Sequence, residues 1–175
     1  MLPEVKLYRK GTGKTRKFNC IKLEAETSIL SEHESRELLQ MKLWNYPKIT
    51  IIESDHCEHN PLIVQLKVGL QVHVTENNLL FKKQGYFLEI KANKVQLFYE
   101  ERSGLVNGLS TLKQLFKEMD NGYYLDNLTV KDWPTIEQRS ISNTFGWYAG
   151  YGRLGFDMQL WGFEEWVEYL NICSD

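Results

Sequence analysis

The sequence predicts an α+β domain, a mostly antiparallel sheet with two helices packed on one face, followed by the first β/α unit of a truncated TIM barrel. Three observations predict it. Short runs of alternating apolar and polar residues recur between Val5 and Val130, and two segments of helical period interrupt them. A Trp133-Pro134 turn then marks a domain exit. Beyond it stand one strand, an aromatic loop and one amphipathic helix, a unit that buries nothing alone and belongs to a repeating β/α architecture. The expected domains are therefore 1–134 and 135–175.

The elements follow in order. Val5 to Leu7 and Phe18 to Glu26 read as strands flanking a basic, glycine-containing turn, Lys10-Gly-Thr-Gly-Lys14. Ser31 is a good N-cap, and Glu34 three residues on completes a capping box. Leu38, Leu39 and Leu43 give that helix its apolar edge, and Pro47 ends it. Lys48 to Ile52 and Leu62 to Val68 are rich in β-formers and are separated by a polar loop, Glu53 to Pro61. Residues 71–84 carry weak signals. Tyr86 to Lys91 and Val95 to Tyr99 alternate about a short turn at Asn93, which is a hairpin pattern.

Ser103 reads as the cap of a second helix, and Asn121-Gly122 as its C-terminal stop. Leu105, Leu109, Leu112, Phe116 and Met119 recur at four, three, four and three, one face of a helix. Gly104 and Gly108 lie on a shared face and would let the helix approach the sheet closely. Tyr123 to Val130 is a further strand. Arg139 to Thr144 is the strand of the second region, and Phe163 to Cys173 its helix.

Composition narrows the function. A net charge of -2 and a pI near 6.1 argue against nucleic acid as partner. Arg9, Lys10, Lys14, Arg16 and Lys17 do cluster, and the simplest reading is a solvated hairpin tip. No apolar run approaches the length of a bilayer, and Met1 to Lys6 has no signal-peptide core, so no membrane span is expected and the location reads as cytoplasmic, the alternative being a mature or trimmed form. Cys20, Cys57 and Cys173 are odd in number and widely spaced, which implies no disulfide framework. Asn127-Leu-Thr129 fits a glycosylation sequon but falls in an expected strand.

Several motifs carry side chains capable of chemistry. Gly11-Thr-Gly-Lys-Thr15 hints at a phosphate loop, but the pattern needs glycine where Tyr8 stands and a helix where a strand is expected. Asp55-His56-Cys57-Glu58-His59 gathers metal-binding side chains at no standard zinc spacing, and a polar loop tip explains it as well. His33-Glu34 lacks the second histidine of a metalloprotease helix. Glu164 and Glu165 open the last helix, where negative charge is favourable. No nucleophile elbow occurs. No cofactor is called for.

The aromatic loop is the best functional hint. Phe145, Trp147, Tyr148, Tyr151, Phe156 and Trp161 fill the connection between strand and helix. In a β/α barrel that connection opens at the face where sites are built. Aromatic faces beside polar groups suit sugar rings. The alternative is that these rings pack within the barrel or on the first domain.

These residues carry a family resemblance. Gly85-Tyr-Phe-Leu-Glu-Ile-Lys91, Val95 to Tyr99, the helix Glu101-Arg-Ser-Gly-Leu-Val-Asn-Gly-Leu-Ser-Thr-Leu-Lys-Gln-Leu115, Val130-Lys-Asp-Trp-Pro134 and Arg139 are similar in order to the N-terminal domain and barrel entry of family 20 glycoside hydrolases, the β-N-acetylhexosaminidases. The resemblance implies an enzyme that removes terminal N-acetylhexosamine from glycans. In that family the substrate's acetamido oxygen attacks the anomeric carbon, an Asp orients it and the adjacent Glu protonates the leaving group. That pair would lie on a later barrel strand, so the 175-residue chain itself is expected to be inactive.

Only Arg139 carries over, as the strand-one arginine whose guanidinium fork holds sugar hydroxyls. An ion pair with Asp132 or Glu137 is the alternative. With Trp147 and Tyr148 from the loop, Arg139 completes the expected substrate-binding set. The chain departs from the family at Ser140, where glycine is usual, and at Thr144-Phe145-Gly-Trp-Tyr148, where an Asp and an Arg-His pair are expected. An amino-sugar glycan is the expected partner through the whole enzyme, with self-association through the unfinished barrel unit. The competing reading is a non-catalytic carbohydrate-binding or structural interaction module.

Overall fold

The alternating runs meet in one sheet. The computed structural model describes residues 6–43, 45–52, 61–69, 83–136, 138, 140 and 162–173. The chain divides into two compact units, Met1–Thr135 and Ile136–Asp175. In the first, seven strands stand in the order β1 (Leu7–Lys14), β9 (Asp126–Asp132), β5 (Tyr86–Lys91), β6 (Lys94–Tyr99), β4 (Leu62–Val68), β2 (Cys20–Ala25) and β3 (Thr50–Ile52). Pairing is antiparallel from β1 through β6 and parallel from β6 through β3. A separate antiparallel ribbon joins β7 (Lys117–Met119) to β8 (Gly122–Tyr124). The class is α+β, with a mixed sheet in which antiparallel pairs predominate once the ribbon is included.

Period-two patterning decides which side of the sheet is covered. Leu62, Val64 and Leu66 of β4 are fully buried, while the alternate residues Ile63, Gln65 and Lys67 are half-buried. The register carries the buried row across the strands: Leu23 faces Val64, Val64 faces Val95, Val95 faces Ile90 and Ile90 faces Leu128. Two helices cover that row, α1 (Glu32–Lys42) and α2 (Arg102–Gln114). Helix α1 contacts β2, α2 contacts β5 and β6, and the helices touch each other, so both lie on one face.

Helix α1 starts as its sequence dictates. The Ser31 hydroxyl accepts from the Glu34 amide at 3.2 Å, and the Glu34 carboxylate accepts from the Ser31 amide at 2.9 Å. These bonds hold the Glu34 carboxyl below the usual range. The helix stops at Lys42 with Leu43 as its cap, short of Pro47. Helix α2 begins at Arg102, with Glu101 as a cap residue that makes no side-chain capping bond, so Ser103 is not the cap. Gly104 lies against the Gly85 carbonyl and Gly108 against the Leu97 methyls, leaving no room for a Cβ at either position.

Helix α2 is also shorter than its periodicity predicts. It ends at Gln114, and the last two positions of the apolar series belong to other structure. Phe116 turns into a ring cluster with Phe18, Tyr46 and Tyr123, at centroid distances of 5.7, 5.2 and 6.2 Å. Met119 sits exposed on β7. Asp120-Asn121 is the turn of the ribbon, with Asn121 at φ 57, and Gly122 opens β8, so Asn121-Gly122 is not a helix stop. The expected strand from Tyr123 is interrupted at Leu125, which separates β8 from β9.

The glycine-containing segment 10–14 is strand and not turn. Strand β1 runs through it and pairs with β9, far from β2, with a register shift between Lys10 and Lys14. Gly13 takes φ +85 in the bulge, and Gly11 lies against the Asn127 backbone, where a Cβ would stand 3.1 Å from the carbonyl oxygen. The Asn127 side-chain amide donates to the Thr12 carbonyl at 2.7 Å, which fixes the shift and engages the nitrogen that a sequon would glycosylate. Thr15 ends the strand by a reciprocal pair with Leu125: its amide donates to the Leu125 carbonyl, and its hydroxyl accepts from the Leu125 amide.

Cys20 is disulfide-bonded, against the sequence expectation, and Cys173 is free. Spacing along a chain does not report distance in the fold, and a disulfide persists in oxidising compartments.

In the second unit, α3 (Phe163–Cys173) covers the expected residues. Phe163, Val167 and Leu170 follow at helical spacing and are exposed.

Candidate functional site

Three surfaces of the described residues carry chemistry-bearing side chains. The first is the sheet face opposite the helices. There Gln65 donates to Glu24 at 2.6 Å and Gln96 donates to Gln65 at 2.9 Å, a polar row across three strands. Beside it Phe87 and Phe98 pair at 5.8 Å, and the Lys67 ammonium lies 5.6 Å from the Phe98 ring. Lys131 on the same face is buried, and desolvation lowers its pKa. These rows are cross-strand neighbours that stabilise a sheet.

The second surface is an open depression at the start of α2, lined by Glu101, Arg102, Ser103, Val106 and Asn107. Its polar groups are locally engaged. Ser103 Oγ approaches Glu101 at 3.4 Å, and the Asn107 amide donates to the Gln84 carbonyl at 3.0 Å. The third is the β1 edge with the β7–β8 ribbon. Lys117 bonds Asp126 at 2.6 Å, and this pair lowers the Asp126 pKa and raises that of Lys117. The Lys14 ammonium lies 4.5 Å from the Tyr124 ring centroid.

The phosphate-loop reading ends here, because Gly11 to Thr15 belong to β1 and its end and no helix follows. No group of three His, Cys, Asp or Glu side chains is placed to hold a metal among the described residues. The Asp55–His59 loop lies outside them, as do Arg139, Trp147 and Tyr148 and the aromatic loop as a whole. Asp132, a possible partner of Arg139, accepts from the Lys6 amide at 3.3 Å. His33 of α1 stands 3.7 Å from Glu37, an exposed pair one helical turn apart. Among the described residues, no helix is long and apolar enough to cross a membrane.

The described residues of the first unit thus form a mixed-sheet α+β domain with two helices, whose described polar contacts serve mainly caps, bulges and strand ends. Residues 3–133 match the sequence model of glycosyl hydrolase family 20, domain 2, and the chain belongs to that family.

Solved structures share the fold. A GH20 exo-β-N-acetylglucosaminidase from Vibrio harveyi aligns with a TM-score of 0.58 at 15% identity, covering 77% of this chain and 19% of that one. The β-N-acetylhexosaminidase from Bacteroides fragilis gives 0.55 at 15% identity, covering 78% and 25%. A protein named CpGH84B gives 0.57 at 23% identity, covering 79% and 23%. The chain therefore spans a quarter or less of the length of these relatives. No curated protein matches it closely enough to count as a relative.

Proposed function

We propose that this chain is the N-terminal, non-catalytic part of a glycoside hydrolase that removes terminal N-acetylhexosamine from glycans by substrate-assisted catalysis. The observation that carries the reading is the match of residues 3–133 to a domain of family 20. Residues 135–175 then supply the first strand, loop and helix of the catalytic barrel. The exposed stripe Phe163, Val167 and Leu170 suits a helix that packs on a barrel strand. Arg139 would hold sugar hydroxyls, with Trp147 and Tyr148 offering ring faces to the pyranose.

Chemistry belongs to an adjacent Asp–Glu pair, the Asp orienting the substrate's acetamido group and the Glu protonating the leaving oxygen. The sequence contains no adjacent Asp–Glu pair. An aryl β-N-acetylglucosaminide offered to the 175-residue chain should therefore release no aryl alcohol above background. Turnover that survives purification to homogeneity would sink the division of labour proposed here.

A further inference from the structure

The β1 edge differs in charge from the rest of the molecule. Between Lys6 and Lys22 the sequence holds Lys6, Arg9, Lys10, Lys14, Arg16, Lys17 and Lys22 and no acidic residue, in a chain of net charge -2. Three elements draw part of this charge together. Tyr8, Lys10 and Lys14 stand opposite Val130, Leu128 and Asp126, successive same-face positions of β9. The bulge thereby sets Lys10 and Lys14 roughly 7 Å apart along the sheet, where an unbroken strand would separate them by about 14 Å. From the ribbon, Lys117 stands directly opposite Tyr124. Lys117 lies 6.0 Å from the Tyr124 ring, and the Lys14 ammonium caps the same ring.

Lys10, Lys14 and Lys117 thus surround Tyr124 and Asp126, and all three lysines are exposed. Lys10, Lys14 and Lys117 all act on the charge of Asp126, and Tyr8, 52% exposed, stands in the same register row of β1 as Lys10 and Lys14. One carboxylate offsets one ammonium and leaves a positive surface carrying two aromatic rings.

We propose that this surface binds an anionic polysaccharide, a chain whose sugars carry sulfate or carboxylate groups. Rings offer flat apolar faces to the C–H face of a pyranose, and ammonium groups on flexible stems meet anions repeated along the chain. Single-stranded nucleic acid would use similar chemistry. The choice of a polysaccharide rests on the glycan-processing reading above and on the acidic balance of the whole chain. Binding at this surface requires no hydrolysis, so the two readings fail separately.

The test uses the whole 175-residue chain with fluorescent heparin as probe, and with oligo(dT) and a neutral N-acetylglucosamine oligomer for comparison, over a salt series. Saturable heparin binding is expected, with none of the neutral oligomer. The double variant Lys10→Gln/Lys14→Gln should bind at least about tenfold more weakly and lower the salt slope by about two, one counterion per lysine. Tyr8→Ala should weaken binding with the slope kept, and Asp126→Asn should tighten it. Tyr8, Lys10 and Lys14 are exposed, so a thermal melt like that of the parent is expected for their variants, whereas Asp126 is half-buried against Lys117 and its variant should melt somewhat lower while still folding. The proposal is overturned if heparin does not bind at low salt, if the lysine pair changes nothing, or if oligo(dT) binds more tightly through the same residues.

Discussion

Tyr86 shows what a single buried polar group does here. Its ring is 2% exposed at the start of β5, and its hydroxyl shares a short hydrogen bond with Thr111 of α2. Burial pushes the phenol up to about 12, with the Thr111 bond pulling the other way and the charge of Asp132 adding to the rise. The folded protein therefore holds this proton more tightly than the unfolded chain. Its contribution to stability is complete below the unfolded value near pH 10 and is lost as pH rises toward 12. The loss is at most roughly 2–3 kcal/mol. Urea midpoints at about pH 8 and about pH 11 check this. Tyr86→Phe should lower stability at the lower pH by about 1 kcal/mol for the lost bond, and its midpoint should fall less than the parent's between the two. A parallel fall in both proteins would contradict it. The sequence shows Tyr86 as an inward position of an alternating strand. It does not show Thr111, because the two meet only once α2 lies on the sheet.

At the scale of elements, the helix-to-sheet contact is the most constrained feature. Gly104 abuts backbone, the Gly85 carbonyl, whereas Gly108 abuts the ends of the Leu97 side chain. Gly104→Ala should cost about 2–3 kcal/mol, since the helix itself must shift. Gly108→Ala should cost less, about 1 kcal/mol, because Leu97 can change rotamer and alanine recovers helix propensity. Chemical denaturation of the two variants decides it, and equal costs would contradict the distinction. These glycines were legible because their spacing falls on one helix face.

The capping box and the β5–β6 hairpin were legible for a similar reason, since each depends on residues a few positions apart. What was not legible depends on distant chain. Strand β1 finds β9 across the whole domain, and β2, β4 and β6 align in parallel through long crossovers. Helix α2 breaks at Leu115 because Phe116 gains more from the Phe18, Tyr46 and Tyr123 rings than from another helical turn. Local periodicity cannot weigh that exchange.

The whole molecule joins a family 20 domain to a shorter segment that ends in α3. The order of the hairpin, the glycine-bearing helix, the Trp133-Pro134 exit and Arg139 was enough to identify the family from sequence, and the match over residues 3–133 agrees. The sugar-binding candidates Arg139, Trp147 and Tyr148 rest on sequence alone. From sequence the basic segment reads as a hairpin tip, because the lysines of β1 and the ribbon approach one another only through the pairing of β1 with β9. The proposal that these residues are the front of a barrel glycosidase is tested by reading the coding sequence onward from the codon for Asp175. An open frame is expected, with further β/α units and an adjacent Asp–Glu pair at a strand end. A stop codon directly after Asp175 in the natural gene would contradict it.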